Sequence, residues 1–120
     1  MIYRPDGVLC EDIPHQINWE QWRTALGPDN CEIASRAINQ YVDDLLESDR
    51  EKVIKAAWIV KSNWDDGPFE ALYHACGQSK EQSGMFAGLL VWMVLHERSE
   101  RWMFYHDEDD CMKYSLWVEE

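Results

Sequence analysis

Apolar positions recur along this chain at helical spacing, most clearly between residues 29 and 46. Ile33, Ala34, Ala37, Ile38, Tyr41, Val42, Leu45 and Leu46 fall at i, i+1, i+4, i+5 through successive turns, which places them in one stripe on a helix. Asp29 stands three residues before Glu32, the spacing at which a cap and an acidic side chain satisfy the first helical amides. The same spacing predicts other helix starts. Asn18 with Gln21 opens a helix over 19–26 that Gly27-Pro28 closes, and Ser48 with Glu51 opens a third, reaching to Asn63, with Val53, Ile54, Ala57, Trp58 and Val60 on its apolar face. Almost no loop separates the second and third helices, which predicts an antiparallel pair. Pro68 suits the first position of a short helix to Cys76, ended by Gly77. Ser79 with Gln82 then opens a helix whose centre, Met85 to Leu95, is apolar all round, as expected of a helix surrounded by others. Its continuation offers a Glu97 to Arg101 pair at i, i+4.

The two ends are patterned differently. Pro5-Asp6-Gly7 between Ile2-Tyr3-Arg4 and Val8-Leu9-Cys10 predicts a tight turn, hence a short N-terminal hairpin or extended arm. Trp102-Met103-Phe104-Tyr105 suits either a helix end or a strand, and Lys113 to Val118 has strand-like content; a short final helix is the reading adopted. The expected fold is therefore all-α, a bundle of about five to six helices around a central apolar helix. It forms a single domain with an arm at 1–17, a helical body at 18–106, and an acidic turn and C-terminal segment at 107–120.

Composition adds charge to that picture. The chain has 120 residues, 46% of them apolar and seven of them tryptophan, enough for one core. It carries 23 acidic against 11 basic residues, a formal net charge of −12. Nucleic acid and anionic membranes are bound through clustered Lys and Arg, which are sparse here, whereas a basic protein surface is complementary. Cys10, Cys31, Cys76 and Cys111 form no CxxC pair, and Met1 to Gly7 lacks the apolar stretch of a leader, so reduced thiols and a cytoplasmic location are expected. The longest apolar run, Met85 to Leu95, is 11 residues, against the ~20 of a bilayer span.

Candidate chemistry is thin. His106-Asp107 invites comparison with the His-Asp pair of metal-dependent phosphohydrolases, and a small hydrolase centred there is the enzymatic alternative. His74 and Cys76, at i, i+2, do not share a helical face. Asp107 to Asp110 lacks the central glycine and terminal glutamate of a helix-loop-helix calcium site, and no GxSxG elbow is present. The expectation is a binding protein, not an enzyme, with no catalytic residues, metal or cofactor. Trp58, Trp92 and Trp102 are expected in the core, and Trp19 and Trp22 are expected to pack the first helix onto the body. Trp22, and Trp64 in a break between helices, are the aromatic candidates for a partner-binding anchor. Acidic candidates form three groups at chain breaks: Asp43, Asp44 and Glu47 with Asp49 and Glu51; Asp65 and Asp66 with Glu70; and Asp107, Glu108, Asp109 and Asp110.

Small size, acidity, helical punctuation and tryptophan richness together resemble phage-encoded inhibitors of bacterial defence, particularly anti-CRISPR proteins of type I systems. The likeness is one of general character and involves no signature motif. It implies a stoichiometric inhibitor in the bacterial host cytoplasm that docks on a basic, nucleic-acid-handling partner, the Cas3 nuclease-helicase or the Cascade surveillance complex, and blocks DNA binding or recruitment. That class shares no binding residues, so none is carried over. An immunity or antitoxin protein neutralising a basic nuclease toxin would use the same physics.

Overall fold

Alternation at the two ends of the chain, and not helical periodicity alone, decides the architecture. The computed structural model describes residues 1–60, 67–106 and 112–117. In chain order the elements are β1 (Ile2–Tyr3), β2 (Leu9–Cys10), α1 (Gln16–Leu26), α2 (Pro28–Glu47), β3 (Val53–Lys55), α3 (Ala56–Val60), α4 (Glu70–Ala75), α5 (Lys80–Glu97), β4 (Trp102–His106) and β5 (Met112–Leu116). The strands form one five-stranded sheet in the order β2-β1-β4-β5-β3, parallel only between β1 and β4. The fold is mixed α/β, which corrects the all-α bundle expected from the pattern.

The C-terminal helix is replaced by the β4–β5 hairpin. Met112, Tyr114 and Leu116 alternate with Lys113 and Ser115, a period of two that a helix cannot place on one face. Register puts Cys10, Ile2, Trp102 and Leu116 on one side of the sheet, with Phe104, Tyr114 and Ile54 two residues along. Ile2, Ile54, Trp102 and Tyr114 on that side are buried and join the helical core. The opposite side carries Tyr3, Met103, Tyr105, Lys113 and Ser115, half-buried, with Trp117 edge-on to Tyr3 at 5.1 Å between ring centroids.

The expected third helix is also corrected. Ser48 ends α2 instead of opening a helix: its Oγ donates to the Leu45 carbonyl at 2.7 Å and accepts from the Arg50 amide at 3.2 Å. Val53 to Lys55 then pair with Ser115 to Lys113 as a sheet edge, and α3 is a short helix from Ala56. With the apolar phase shifted, Trp58 is 46% exposed, not in the core, with the Lys55 ammonium 5.8 Å from its ring. Among the described residues α2 packs on α1, α4 and α5, and the expected antiparallel pairing of α2 with α3 is not a main contact there.

Elsewhere the helical reading holds with adjusted boundaries. α1 begins at Gln16, after His15 in the left-handed region (φ 53°), so Asn18 lies inside the helix. Gly27, at φ 87°, ends α1 with its amide on the Arg23 carbonyl and leads directly into Pro28, the first residue of α2. The α2 stripe buries Ala34, Ile38, Val42 and Leu45, while Ile33 stays 48% exposed at its border. Burying side chains of this size stabilises by about 1.5–3 kcal/mol each. Ser79 caps α5, accepting from the Gln82 amide at 3.2 Å. α5 is buried nearly all round and touches α1, α2, α3, α4 and β1. It stops at Glu97, so the expected Glu97–Arg101 helical pair does not form; Arg101 instead lies over the Trp117 ring at 5.9 Å. The N-terminal turn is as expected, with Gly7 at φ 86° donating to the Arg4 carbonyl.

Where α5 ends, two groups gather its last carbonyls and neighbours. The Met1 amino group donates to the carbonyls of Leu95, Arg98 and Glu100 at 2.7–2.9 Å, placing positive charge at the negative end of the helix. Arg98 bonds Glu100 through Nε (2.7 Å) and reaches back to α2, to Asn39 through Nη1 (2.8 Å) and to Asp43 through Nη2 (2.6 Å). No helix among the described residues is long and apolar enough to cross a membrane.

Candidate functional site

The acidic row on α2 is only partly available. Asp43, Asp44 and Glu47 are all exposed, but the Asp43 carboxylate holds Arg98 and Asp44 accepts from the Gln40 amide at 2.9 Å. Glu47 makes no ion pair among the described residues. Trp64, Asp65, Asp66, Asp107, Glu108, Asp109 and Asp110 lie outside the described residues, as does Cys111.

Trp22 is half-buried, its ring tilted 31° against Phe86 at 5.6 Å, so most of it serves packing as expected. Its free edge lines a cleft of about 420 Å³ between α1 and the start of α5, with the amides of Asn18, Gln21 and Gln82. No α2 carboxylate reaches that cleft, so the structure does not bring Trp22 together with Asp43, Asp44 or Glu47.

A second cleft, of about 460 Å³, was not singled out by the sequence pattern. It forms where the segment before α1 crosses the end of α5. Gln16, Trp19, Glu20 and Arg23 fall at i, i+3, i+4, i+7 on one face of α1, and Trp92, Met93, His96 and Glu97 occupy one turn of α5 opposite them. Glu11, Asp12 and Ile13 close the third side. The aromatic framework is fixed. Trp19 is 5% exposed and edge-on to Phe86 at 5.8 Å; Trp92 is 2% exposed and stacked on the His96 imidazole at 4.8 Å and 16°. His96 Nδ1 is buried with no hydrogen-bond partner among the described residues.

The rim of this cleft is acidic. Glu11, Asp12, Glu20 and Glu97 are exposed, and none forms an ion pair among the described residues, although Glu20 accepts from Gln16 at 3.3 Å. Arg23 is the one lysine or arginine in the lining, its guanidinium 5.9 Å from the centre of the Trp19 ring. The sequence signals were present as Trp19, Glu20 and Arg23 on one helical face and Trp92 with His96 at i, i+4. What joined them was tertiary.

The reactive side chains singled out from the sequence are not brought together among the described residues. No three His, Cys, Asp or Glu side chains converge there as a metal-holding group. His74 is exposed beside Glu70 at 3.7 Å, whereas Cys76 is buried, so they do not share a face. Burial pushes the thiols of Cys10, Cys31 and Cys76 above their ordinary range, which disfavours the thiolate a nucleophile needs. His106 lies in β4, and Asp107, its partner in the hydrolase alternative, is outside the described residues. Comparisons with protein-family models, with curated proteins and with solved structures give no match.

Proposed function

We propose that this chain is an acidic binding protein that docks on the basic surface of a nucleic-acid-handling protein and occupies the arginines and lysines meant for phosphate. In the form that the resemblance implies, it is an anti-CRISPR protein acting on the Cas3 nuclease-helicase or on Cascade. The observation that carries the reading is an excess of exposed carboxylates left without cations: Glu11, Asp12, Glu20, Glu47 and Glu97 have none paired to them among the described residues. Such a surface repels itself and nucleic acid alike, and is relieved by a basic partner. Asp44, Glu47 and Trp22, with Trp64, Asp65, Asp66 and Asp107 to Asp110 outside the described residues, extend the contact.

The test is association with purified Cas3 and Cascade from a type I system, followed by stopped flow across a salt series and by DNA binding of the partner. Steering by opposite charge predicts an association rate that falls at least tenfold between about 50 and about 300 mM salt, with stoichiometric loss of DNA binding. Absence of binding to both components removes the anti-CRISPR form. A complex with a salt-insensitive association rate removes the electrostatic account.

A further inference from the structure

We infer that the side of the sheet turned away from the helical core is a docking surface, and that its occupant is an acidic amphipathic helix of a partner protein. The inference does not rest on the acidic-docking reading, which concerns carboxylates on the helices and loops.

Side-chain chemistry is the first argument. Strand register carries one outward row across all five strands, made of Leu9, Tyr3, Met103, Ser115 and Val53. Tyr105, Lys113 and Lys55 form the next row, and Trp117 stands edge-on to Tyr3 on the other flank. The reverse side belongs to the core, which Ile2, Ile54, Trp102 and Tyr114 join. An antiparallel sheet packed on one face ordinarily turns polar residues outward. This one turns out leucine, methionine, valine and aromatic rings. Leu9 is 40% exposed, and Tyr3, Met103, Tyr105 and Trp117 are half-buried, so each keeps part of its surface in water. A contiguous apolar surface that water still reaches marks an interaction site.

Size selects a helix over a second copy of this chain. Five strands at about 4.8 Å spacing are about 19 Å across, and three outward rows extend about 14 Å along them, an area of roughly 300 Å². A stable dimer buries about 800 Å² on each side. One helix needs far less, since a stretch of about 13 residues, rising about 1.5 Å each, crosses the row from Leu9 to Val53.

Charge selects the kind of helix. The chain carries 23 acidic residues, yet β1 to β5 contain no Asp or Glu, so the repulsion that the rest of the surface offers to an acidic partner is weakest on the sheet. The two strand lysines, Lys55 and Lys113, share the outward side, and Lys113 sits over the Tyr105 ring at 5.5 Å with no ion pair among the described residues. An ammonium held over a ring keeps its charge and has already lost part of its freedom, which lowers the ordering cost of meeting a partner's carboxylate. An apolar row flanked by ammonium groups fits a helix with apolar residues at i, i+3, i+4 and i+7 and carboxylates beside them.

The experiment is an NMR titration of the intact chain with an acetylated 14-residue peptide amide that carries leucine at that spacing and glutamate elsewhere. Parallel arms use the same peptide with lysine in place of glutamate, and a single-stranded oligothymidylate. Salt of about 150 mM screens the net repulsion and leaves contact pairs in place. Expected are saturable shifts of the Met103 and Ser115 amides and of the Trp117 indole N–H with the glutamate peptide, and binding at least about fivefold weaker in the other two arms. Leu9→Ser and Lys113→Gln should each raise the dissociation constant about threefold to fivefold, and Lys113→Arg should hold it within about twofold. Ile33→Ser, which removes an exposed isoleucine on α2, should also leave it within about twofold. A backbone amide spectrum verifies the fold of each variant. Absence of saturable shifts, shifts confined to the helices, equal or tighter binding of the lysine peptide or the oligonucleotide, or unchanged affinity in both Leu9→Ser and Lys113→Gln overturns the inference and leaves the acidic-docking reading standing.

Discussion

Replacing Arg98 by methionine should destabilise the fold by about 3 kcal/mol, because three polar contacts, two to α2 and one within the α5–β4 junction, meet on this one guanidinium. Its side chain is 16% exposed, and its partners differ in worth. The Nε bond to Glu100 (2.7 Å, partner 24% exposed) is a charge-assisted contact in a half-dry setting, worth about 1.5–2 kcal/mol. The Nη1 bond to Asn39 (2.8 Å) adds about 1 kcal/mol. The Nη2 bond to Asp43 is short, at 2.6 Å, but that carboxylate is 54% exposed and solvent screening leaves about 0.5 kcal/mol. Methionine keeps most of the apolar stem, so the loss is one of polar contacts. For a domain of this size the melting temperature should fall by about 10 °C. The assay is thermal and urea unfolding of Arg98→Met, Asp43→Asn, Glu100→Gln and the Arg98/Glu100 double variant. Asp43→Asn should cost under about 1 kcal/mol, and the double-mutant cycle should return a coupling of about 1–2 kcal/mol. A total loss below about 1 kcal/mol for Arg98→Met, or strict additivity of Arg98 and Glu100, would refute the idea that this guanidinium clamps α2 to the α5–β4 junction.

Two further outcomes follow from buried polar groups. Burial alone would raise the Glu100 carboxyl, but bonds from Arg98, from its own backbone and from Ser99, with the guanidinium charge, outweigh it and hold the group below its ordinary value of 4.5. A depressed carboxyl contributes stability that is present above 4.5 and is lost as pH falls through its folded value, so the stability difference between the unaltered chain and Glu100→Gln, followed by urea midpoint, should shrink as pH drops from about 5 to about 3. A difference that stays constant across that range contradicts the assignment. The Tyr114 hydroxyl is buried with no partner among the described residues, and burial pushes its ionisation far up; Tyr114→Phe should therefore be neutral or stabilising by up to about 1 kcal/mol in the same assay, and a loss above about 1 kcal/mol would reveal a bond to that hydroxyl.

Helices with a complete apolar stripe or an apolar circumference, α2 and α5, were legible from local pattern because burial and period coincide in them. The spacing of a cap residue and a following Glu or Gln was a poorer guide. Of the Asn18, Asp29, Ser48 and Ser79 sites, only Ser79 accepts the amide bond of a cap. Ser48 shows why: a serine that can satisfy an amide ahead of it can equally return its hydroxyl to a carbonyl behind it, and that choice ended α2 where a new helix was expected. The strands failed for another reason. Val53–Lys55 is too short to show a period, and its placement depends on Tyr114 and Ser115, some sixty positions away. The parallel pairing of Ile2 with Trp102 is equally non-local. Met112 to Leu116 was readable as alternating and its aromatic content favoured a strand, but the acidic stretch before it also suits a helix N-terminus and drew the segment to the wrong element. The cleft combines three segments, residues 11–13, one face of α1 and one turn of α5, so no window along the chain contains it.

The aromatic residues and the charge imbalance, which look like separate peculiarities of the sequence, are linked in the structure. Four of the basic side chains lie over aromatic rings: Arg23 on Trp19, Lys55 on Trp58, Arg101 on Trp117 and Lys113 on Tyr105, all between 5.5 and 5.9 Å. A ring face attracts a cation without cancelling its charge against a carboxylate; Arg23 and Lys113 form no ion pair among the described residues, and Glu11, Asp12, Glu47 and Glu97 are left without one there. The fold thereby accepts self-repulsion at its surface that ion pairing would have reduced. Trp19 is thus both a packing element, 5% exposed against Phe86, and the seat of the Arg23 guanidinium.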